Sequence, residues 1–509
     1  MVLFAIIYIM ENRLKLISKY LNKHWLSVLI VSLVLAVILS SLLSLGQNIW
    51  FDEGYSIYVA QKPIPELISL VGVDAHPPLY YLTLKLWGTL FNWSEFSLRF
   101  LSIIFATAAI AISFFIVKKM AGVKIALGVL SFLIVAPFAL RYSYEIRPYA
   151  MTSAIVAGGT LLLLYATESK KRTAWIWYSA TVAVGMLTLY MSVLIWLGHF
   201  AWLALQSWRD KKATPVKIWF LSYVLAVLFF SPWLPTFISQ TLNSALPGIG
   251  QEINLETLAN TTSNLLLFQP ASQTQTLLTI LVIILLVSLI FMITRLGERG
   301  SLKTRKNLIF IGFLTIIPFL ILMVLNATSS PFYVSRYLAH FAIFYYLAIG
   351  FIVVSSYKIL PKFSLLIGVA ALAISLIGVI NLAKAGNLNF ERDQKPAIVT
   401  ALSNFKCNND TTFVAQDEYT YLDSWFYLQD CNLKFLRDGE VPERGGYAPL
   451  RNSSAQIRNI NEVSTPNLIF ISWKDTDNSE IFKNSRFLLS QKDIYQKHLI
   501  ESYRQIRTN

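Results

Sequence analysis

The stretch WLSVLIVSLVLAVILSSLLSLGQNIWFDEGYS, residues 25–56, runs from a long apolar segment straight into two adjacent acids, Asp52 and Glu53. Its apolar part, near 26–46, has the roughly 20 residues that cross the hydrocarbon of a bilayer. Acids at a bilayer rim are expensive to keep and read as functional by default. The next polar run, DAHPPLYY (74–81), adds Asp74 and His76 ahead of a double proline. Together they point to an active site in the first outside loop of a multi-spanning membrane protein.

Working outward, the same apolar pattern recurs near 98–117, 124–140, 148–167, 218–235, 276–294, 307–326, 336–356 and 363–383. The run 174–207 is too long for one span and reads as two shorter helices turning near Tyr190, which makes about eleven spans. Composition agrees: 55% apolar, 14% aromatic and only 14% charged residues over 509 positions is a membrane profile. The apolar start at 2–9 is too short to span and has no small-residue cleavage site behind it, so it is not read as a signal peptide; Met10 is an alternative start.

The net charge of +15 is not a nucleic-acid footprint, because the cation clusters between the spans lie on alternate loops. Lys15, Lys19 and Lys23 precede the first span; Lys118, Lys119 and Lys124, then Lys170, Lys171 and Arg172, then Arg209 to Lys217, Arg295 to Lys306, and Lys358 with Lys362 follow. The positive-inside rule makes these loops cytoplasmic, the amino terminus cytoplasmic, and residues beyond about 385 extracytoplasmic, on the cell membrane. The opposing stretch 236–275 holds no Lys or Arg. The same count gathers Asp52, Glu53, Asp74 and His76, then Arg141, Glu145 and Arg147, then Arg336, on one outer face.

The division expected is 1–384 as the membrane module and 385–509 as a soluble extracytoplasmic domain. TTFVAQ (411–416) and NLIFISW (467–473) read as buried strands, while RDQKPAIVTALSNF (392–405) and TYLDSWFYLQ (420–429) have helical spacing, so this part is a small α/β unit. Cys407 and Cys431, the only cysteines, both lie there; the compartment permits a disulfide, and spacing alone leaves a bridge and two thiols equally open. There is no glycine-rich phosphate loop, CxxC pair or GxSxG, which removes support for nucleotide hydrolysis and serine-hydrolase chemistry.

Each motif has a structural alternative. Asp52 and Glu53 can cap an amphipathic helix lying on the membrane with Trp50, Phe51 and Tyr55 at the interface. His76-Pro77-Pro78 can simply start a helix, and Lys85 can snorkel to headgroups. In RYSYEIRPYA (141–150) Glu145 can pair with Arg147; alternatively Arg147 or Arg141 grips a phosphate, as can Arg336 in SSPFYVSRYLAH (329–340), since arginine matches phosphate geometry.

WFDEGYS, HPPLYYLTLKLW, EFSLRF (95–100), YSYEIRPYA and PFYVSRYL, in that order over about 30–360, resemble the bacterial members of the dolichyl- or polyprenyl-phosphate-mannose protein mannosyltransferase family, within the C-fold glycosyltransferases. The resemblance implies an α-helical multi-pass enzyme that takes a sugar from a polyprenyl-phosphate donor on the outer face and passes it, with inversion, to a lipid, surface glycan or protein. Carried over by residue, Asp52 matches the family's catalytic or acceptor-facing acid, Glu53 the acid beside it, His76 the proline-corner histidine, and Glu145 and Arg147 the second-loop acid and a nearby basic position. Behind the proline corner the chain departs from the protein-modifying relatives: Tyr80 and Tyr81 follow, with Lys85 later.

In physical terms, Asp52 takes the proton of the acceptor hydroxyl, Arg147 and Arg336 offset charge on the leaving lipid phosphate, and Glu53, Asp74, His76 or Glu145 orient the acceptor. Asp52, His76 and Glu145 are also candidates for a divalent ion, without regular ligand spacing. The rival reading is a transporter or flippase of lipid-linked sugars, which predicts inverted repeats and helices broken near the midplane; neither is visible.

Overall fold

The computed structural model describes residues 20, 23–45, 47–169, 171–210, 214–243, 250–269, 274, 276–328, 331–385, 407–495 and 498–506. The first apolar stretch forms α1 (Trp25–Leu45). After it come three short helices, α2 (Phe51–Gln61), α3 (Ile64–Val73) and α4 (Leu79–Phe91), then the long α5 (Glu95–Ala121). Ser94 caps α5 by accepting from the Ser97 amide, and Gly122 at φ 88° ends it, a backbone conformation that glycine tolerates without strain.

Next are α6 (Val123–Ile134), α7 (Pro137–Arg141), α8 (Tyr149–Ser169), α9 (Arg172–Thr188), α10 (Val193–Arg209), α11 (Val216–Phe230) and α12 (Leu234–Asn243). The helical part closes with α13 (Leu255–Leu267), α14 (Thr276–Arg299), α15 (Leu302–Thr328), α16 (Ala342–Ser356) and α17 (Pro361–Ala385). Among the described residues seven helices are long and apolar enough to cross a membrane: α1, α5, α8, the joined α11–α12, α14, α15 and α17. The other four expected spans form shorter helices, α6, α9, α10 and α16. The stretch 124–140 breaks because Ala136, preceding Pro137, is extended (φ −81°, ψ 92°), as the proline ring demands. The 174–207 run divides at a 3-10 turn, Tyr190–Ser192, where the sequence placed it.

Lipid-facing surfaces are apolar, as on α14, where Ile283, Val287 and Ile290 are more than half exposed. The basic loops meet at one end of the bundle: Lys118 lies 3.5 Å over the Trp25 ring, Lys119 pairs with Glu168 at 2.6 Å, and Asn307 donates to the Met120 carbonyl at 3.0 Å. Residues 47–56, 95–99, 141–147 and 336 meet at the other end.

The C-terminal domain is a six-stranded mixed sheet of β1 (Thr411–Ala415), β2 (Asn432–Leu436), β3 (Gln456–Ile457), β4 (Asn467–Trp473), β5 (Phe487–Tyr495) and β6 (His498–Gln505), in the order β3-β2-β1-β4-β6-β5. The first four strands are parallel and β4-β6-β5 antiparallel. The two strands expected from sequence are its neighbouring central strands, nearly all buried. Helix α18 (Glu418–Trp425), capped by Asp417, lies within the expected helical run 420–429 apart from its first two residues; α19 (Ser479–Phe482) is a single turn. Cys407 and Cys431 are disulfide-bonded. The helix expected over 392–405 and the start at 2–10 lie outside the described residues.

This domain is packed directly on the first loop of the bundle. Phe51 stacks on Tyr419 (centroids 4.5 Å apart, 10° between planes) and meets Tyr447 edge-on at 5.5 Å. The Ile49 amide donates to the Tyr427 hydroxyl at 2.8 Å, and the Gly445 amide to the Val73 carbonyl at 3.1 Å. α2 crosses α18 at Gly54, so closely that a Cβ there would come within 3.0 Å of the Leu422 carbonyl oxygen. Tyr55, Tyr58, Leu67 and Val71 share one apolar core with Phe413, Leu422 and Phe435.

Candidate functional site

Both acids of WFDEGYS fall in the first turn of α2, where the unpaired amides at a helix N-terminus favour negative charge. Trp50 and Tyr55 are each only 2% exposed. The helix is therefore buried between bundle and domain and does not lie on a membrane surface, contrary to the structural alternative considered for it. Consecutive helical positions point about 100° apart, and the two acids accordingly have different surroundings.

Glu53 turns inward and is fully buried. Its Oε2 lies 3.0 Å from Arg99 Nη2, and its Oε1 accepts from the Ile146 amide at 3.0 Å. Arg99, on α5, also donates to the carbonyls of Ser44, Gln47 and Asn48, each at 2.8 Å, and to Glu95 at 2.6 Å. A single guanidinium thus ties the end of α1, the acidic helix and the second loop together. Sequence reasoning missed Arg99, although an arginine in the apolar run EFSLRFLSII was the available signal.

Asp52 faces the opposite way. Its Oδ2 lies 3.1 Å from Arg336 Nη1 and 3.9 Å from Arg147 Nε. Arg147 is 5% exposed at its side chain, and its Nε has no hydrogen-bond partner among the described residues, a costly condition for a buried donor. Its Nη1 reaches the Ser56 hydroxyl at 3.3 Å, and its Nη2 lies 2.9 Å from His76 Nε2. Arginine can only donate, so His76 Nε2 accepts; the other ring nitrogen then carries the proton and donates to Asp74 Oδ2 at 2.9 Å. Tyr55 donates to the same oxygen at 2.9 Å. The result is a polar chain, Tyr55–Asp74–His76–Arg147–Asp52–Arg336, drawn from four distant parts of the sequence.

Its electrostatics follow from those neighbours. The Asp52 carboxylate pushes the Arg336 guanidinium further above its already high value, against burial. Burial would raise the Asp74 carboxyl, but His76 and hydrogen bonds from the Ala75 amide and Tyr55 outweigh it and hold Asp74 at about 2. Burial and the adjacent Asp74 push the Tyr55 phenol well up, so it stays a donor. The proline corner is fixed from behind: Trp233 donates to Tyr190 at 2.7 Å, Tyr190 to Gln240 at 2.5 Å, and Gln240 to the Val71 and His76 carbonyls at 2.8 and 3.3 Å.

Other expected residues stand elsewhere. Glu145 is buried, accepts from Trp50 Nε1 at 3.1 Å and pairs with Arg141 at 3.3 Å. Arg141, 1% exposed and against Tyr142 and Tyr144, is held inside the loop. Lys85 does not snorkel: its Nζ donates to the carbonyls of Lys62 (2.8 Å) and Ala60 (3.4 Å), satisfying the open C-terminal end of α2. His76-Pro77-Pro78 does lead into a helix, α4. Among the described residues no group of three or more His, Cys, Asp or Glu lies together as a metal site. Asp52, His76 and Glu145 are turned to arginines and to Asp74 instead, so the residues present do not fit the divalent ion considered from sequence.

Four stretches of the chain thus converge on one carboxylate flanked by two guanidiniums, at the end of the bundle away from the basic loops. Residues 75–235 match the family of dolichyl-phosphate-mannose-protein mannosyltransferases. The match covers the proline corner, Arg99 and Arg147, and the resemblance read from the motifs holds. The overall fold is shared with solved structures at low sequence identity. ArnT from Cupriavidus metallidurans superimposes in its apo state with a TM-score of 0.60 at 12% identity, covering 94% of this chain and 98% of ArnT. ArnT bound to undecaprenyl phosphate gives a TM-score of 0.61 at the same identity and coverage. The archaeal oligosaccharyltransferase AglB from Archaeoglobus fulgidus, in complex with an inhibitory peptide and a dolichol-phosphate, gives 0.52 at 12% identity over 89% of this chain and 70% of AglB. No curated protein matches the chain.

Proposed function

We propose that this protein is an inverting glycosyltransferase that moves a sugar from a polyprenyl-phosphate donor to an acceptor on the extracytoplasmic face of the cell membrane. The observation that carries the reading is Asp52 Oδ2 lying 3.1 Å from Arg336 and 3.9 Å from Arg147, the second of these with an unmade hydrogen bond. A phosphodiester oxygen suits both guanidiniums better than one shared carboxylate does, because arginine binds phosphate in a fork. The arriving phosphate competes with Asp52 for Arg336 and frees the carboxylate toward the acceptor.

The steps then balance simply. The acceptor oxygen attacks the anomeric carbon from the face opposite the phosphate, its proton goes to Asp52, and the anomeric C–O bond breaks to leave polyprenyl phosphate held by Arg147 and Arg336. Backside displacement inverts the configuration. His76 and Asp74 hold Arg147 in place, while Glu53 and Glu145 belong to the internal framework, a different role from the acceptor-orienting one considered from sequence. By the positive-inside rule the site faces outward and the amino terminus inward.

The test is release of polyprenyl phosphate by purified protein from a panel of polyprenyl-phosphate sugars, with the product anomer read by NMR. Asp52→Asn is expected to lose about 100- to 10,000-fold in turnover while still binding donor. Turnover of Asp52→Asn close to wild type removes Asp52 as the base.

A further inference from the structure

A cleft of about 730 Å³ opens where the end of α2 and the start of α3 meet the C-terminal domain. Lys62 and Glu66 line one side; Lys434, Asn452 and Ser454 line the other, with Trp425 between the two elements. The volume is within the range of about 300–1,000 Å³ typical of small-ligand sites, yet such sites are mostly apolar. This one is not, and none of its residues takes part in the Asp52 chain.

Three features of the lining define what fits. First, two of its three cations face carboxylates, Lys62 with Glu66 at 3.4 Å and Arg451 with Glu440 at 3.5 Å and with Glu443, while Lys434 donates to the Ser454 carbonyl at 2.7 Å and keeps its charge. Second, Asn432 and Asn452 are exposed amides that both donate and accept, and Ser453 and Ser454 add hydroxyls. Third, the Trp425 indole is half-buried, packed edge-on against Tyr58 at 5.0 Å and 79°. A flat indole beside mixed donors and acceptors suits a ring with an apolar face and a hydroxylated rim.

We infer that this cleft binds a saccharide, as the distal sugar units of a glycan acceptor. That it holds the acceptor rests on the glycosyltransferase reading; that it holds a saccharide does not. Asp52 and Lys62 stand on or next to one helix about 15 Å apart along its axis, a distance that an oligosaccharide of a few units covers. The carboxylate and the cleft are therefore kept at a constant separation by a single rigid element.

The experiment uses the full chain in lipid nanodiscs and saturation-transfer NMR with neutral tri- and tetrasaccharides of mannose, glucose and galactose, beside a Ser/Thr-rich peptide as the other acceptor class. At least one saccharide is expected to bind. Trp425→Ala should weaken it about tenfold through the lost ring contact. Ser454→Trp, from an exposed position that keeps the core intact, should abolish it by filling the cleft. Normal donor turnover with no saccharide bound, binding of the peptide alone, or wild-type affinity in Ser454→Trp overturns the site. Saccharide binding that depends on the cleft, with no donor turned over, leaves the site standing and sinks the enzyme reading instead.

Discussion

Gly54→Ala isolates the contact between the acidic helix and the C-terminal domain. The added Cβ would come within 3.0 Å of the Leu422 carbonyl oxygen, whereas carbon and carbonyl oxygen ordinarily sit about 3.3–3.6 Å apart. The obstacle is backbone, so no side chain can swing aside, and α2 must retreat from α18 by up to about 1 Å. Two effects oppose each other in stability. Alanine for glycine inside a helix gains about 1 kcal/mol, while overpacking costs about 1–3 kcal/mol. Retreat also loosens the Phe51–Tyr419 stack, worth about 0.5–1.5 kcal/mol. The expected net loss is therefore modest, about 1–2 kcal/mol, visible as a small drop in Tm. Activity should respond more steeply, since a misplacement of about 1 Å at a reacting group costs about 100-fold. Donor affinity should hold, because Arg147 and Arg336 stand on other elements. Gly54→Val should be worse on both counts. Wild-type turnover with a wild-type Tm in Gly54→Ala would refute the claim that this crossing sets the position of Asp52.

Arg336→Ala should weaken binding of a polyprenyl-phosphate sugar, and Arg336→Lys should restore it only partly, since a fork becomes a point charge; equal donor affinity in all three proteins would reduce Arg336 to a partner of Asp52 alone. Glu53→Ala breaks a buried pair with Arg99 and should destabilise by about 3 kcal/mol, the low end for such pairs, because Arg99 keeps Glu95 and three carbonyls; thermal unfolding checks this, and an unchanged Tm contradicts the framework role. Asp74 titrates at about 2 when folded against 3.8 unperturbed. Its lowered value stabilises the fold above about pH 4, by about 2 kcal/mol, and that contribution fades as pH falls toward 2. The Tm gap between wild type and Asp74→Asn should accordingly narrow over that window, and a constant gap counts against the assignment.

The membrane class, and the gathering of basic loops at one end and acids at the other, were legible because hydropathy and charge are properties of local sequence. So were Asp52, Arg147 and Arg336 as a set, since topology alone puts them at one end. Which way each acid points was not: Asp52 and Glu53 are neighbours in sequence, and only the helix phase and the location of Arg99 separate an open carboxylate from an internal strut. Lys85 looked like a snorkelling lysine because its true partners, the Ala60 and Lys62 carbonyls, become acceptors only once α2 ends there. The hairpin β5–β6 gave little signal, its first strand being mostly exposed and irregular at Leu489/Gln491. The grip of Tyr419, Leu422 and Tyr427 on the first loop is a contact across more than three hundred residues, for which a single sequence carries no local trace.

That grip also has a consequence in time. The segment holding Asp52 leaves the ribosome long before Leu422 exists: at about 5–20 residues per second, the intervening chain takes roughly 20 to 70 s to make. Throughout that interval the acidic helix is without the surface that seats it. The packing around α2 is complete only once the chain has passed residue 447.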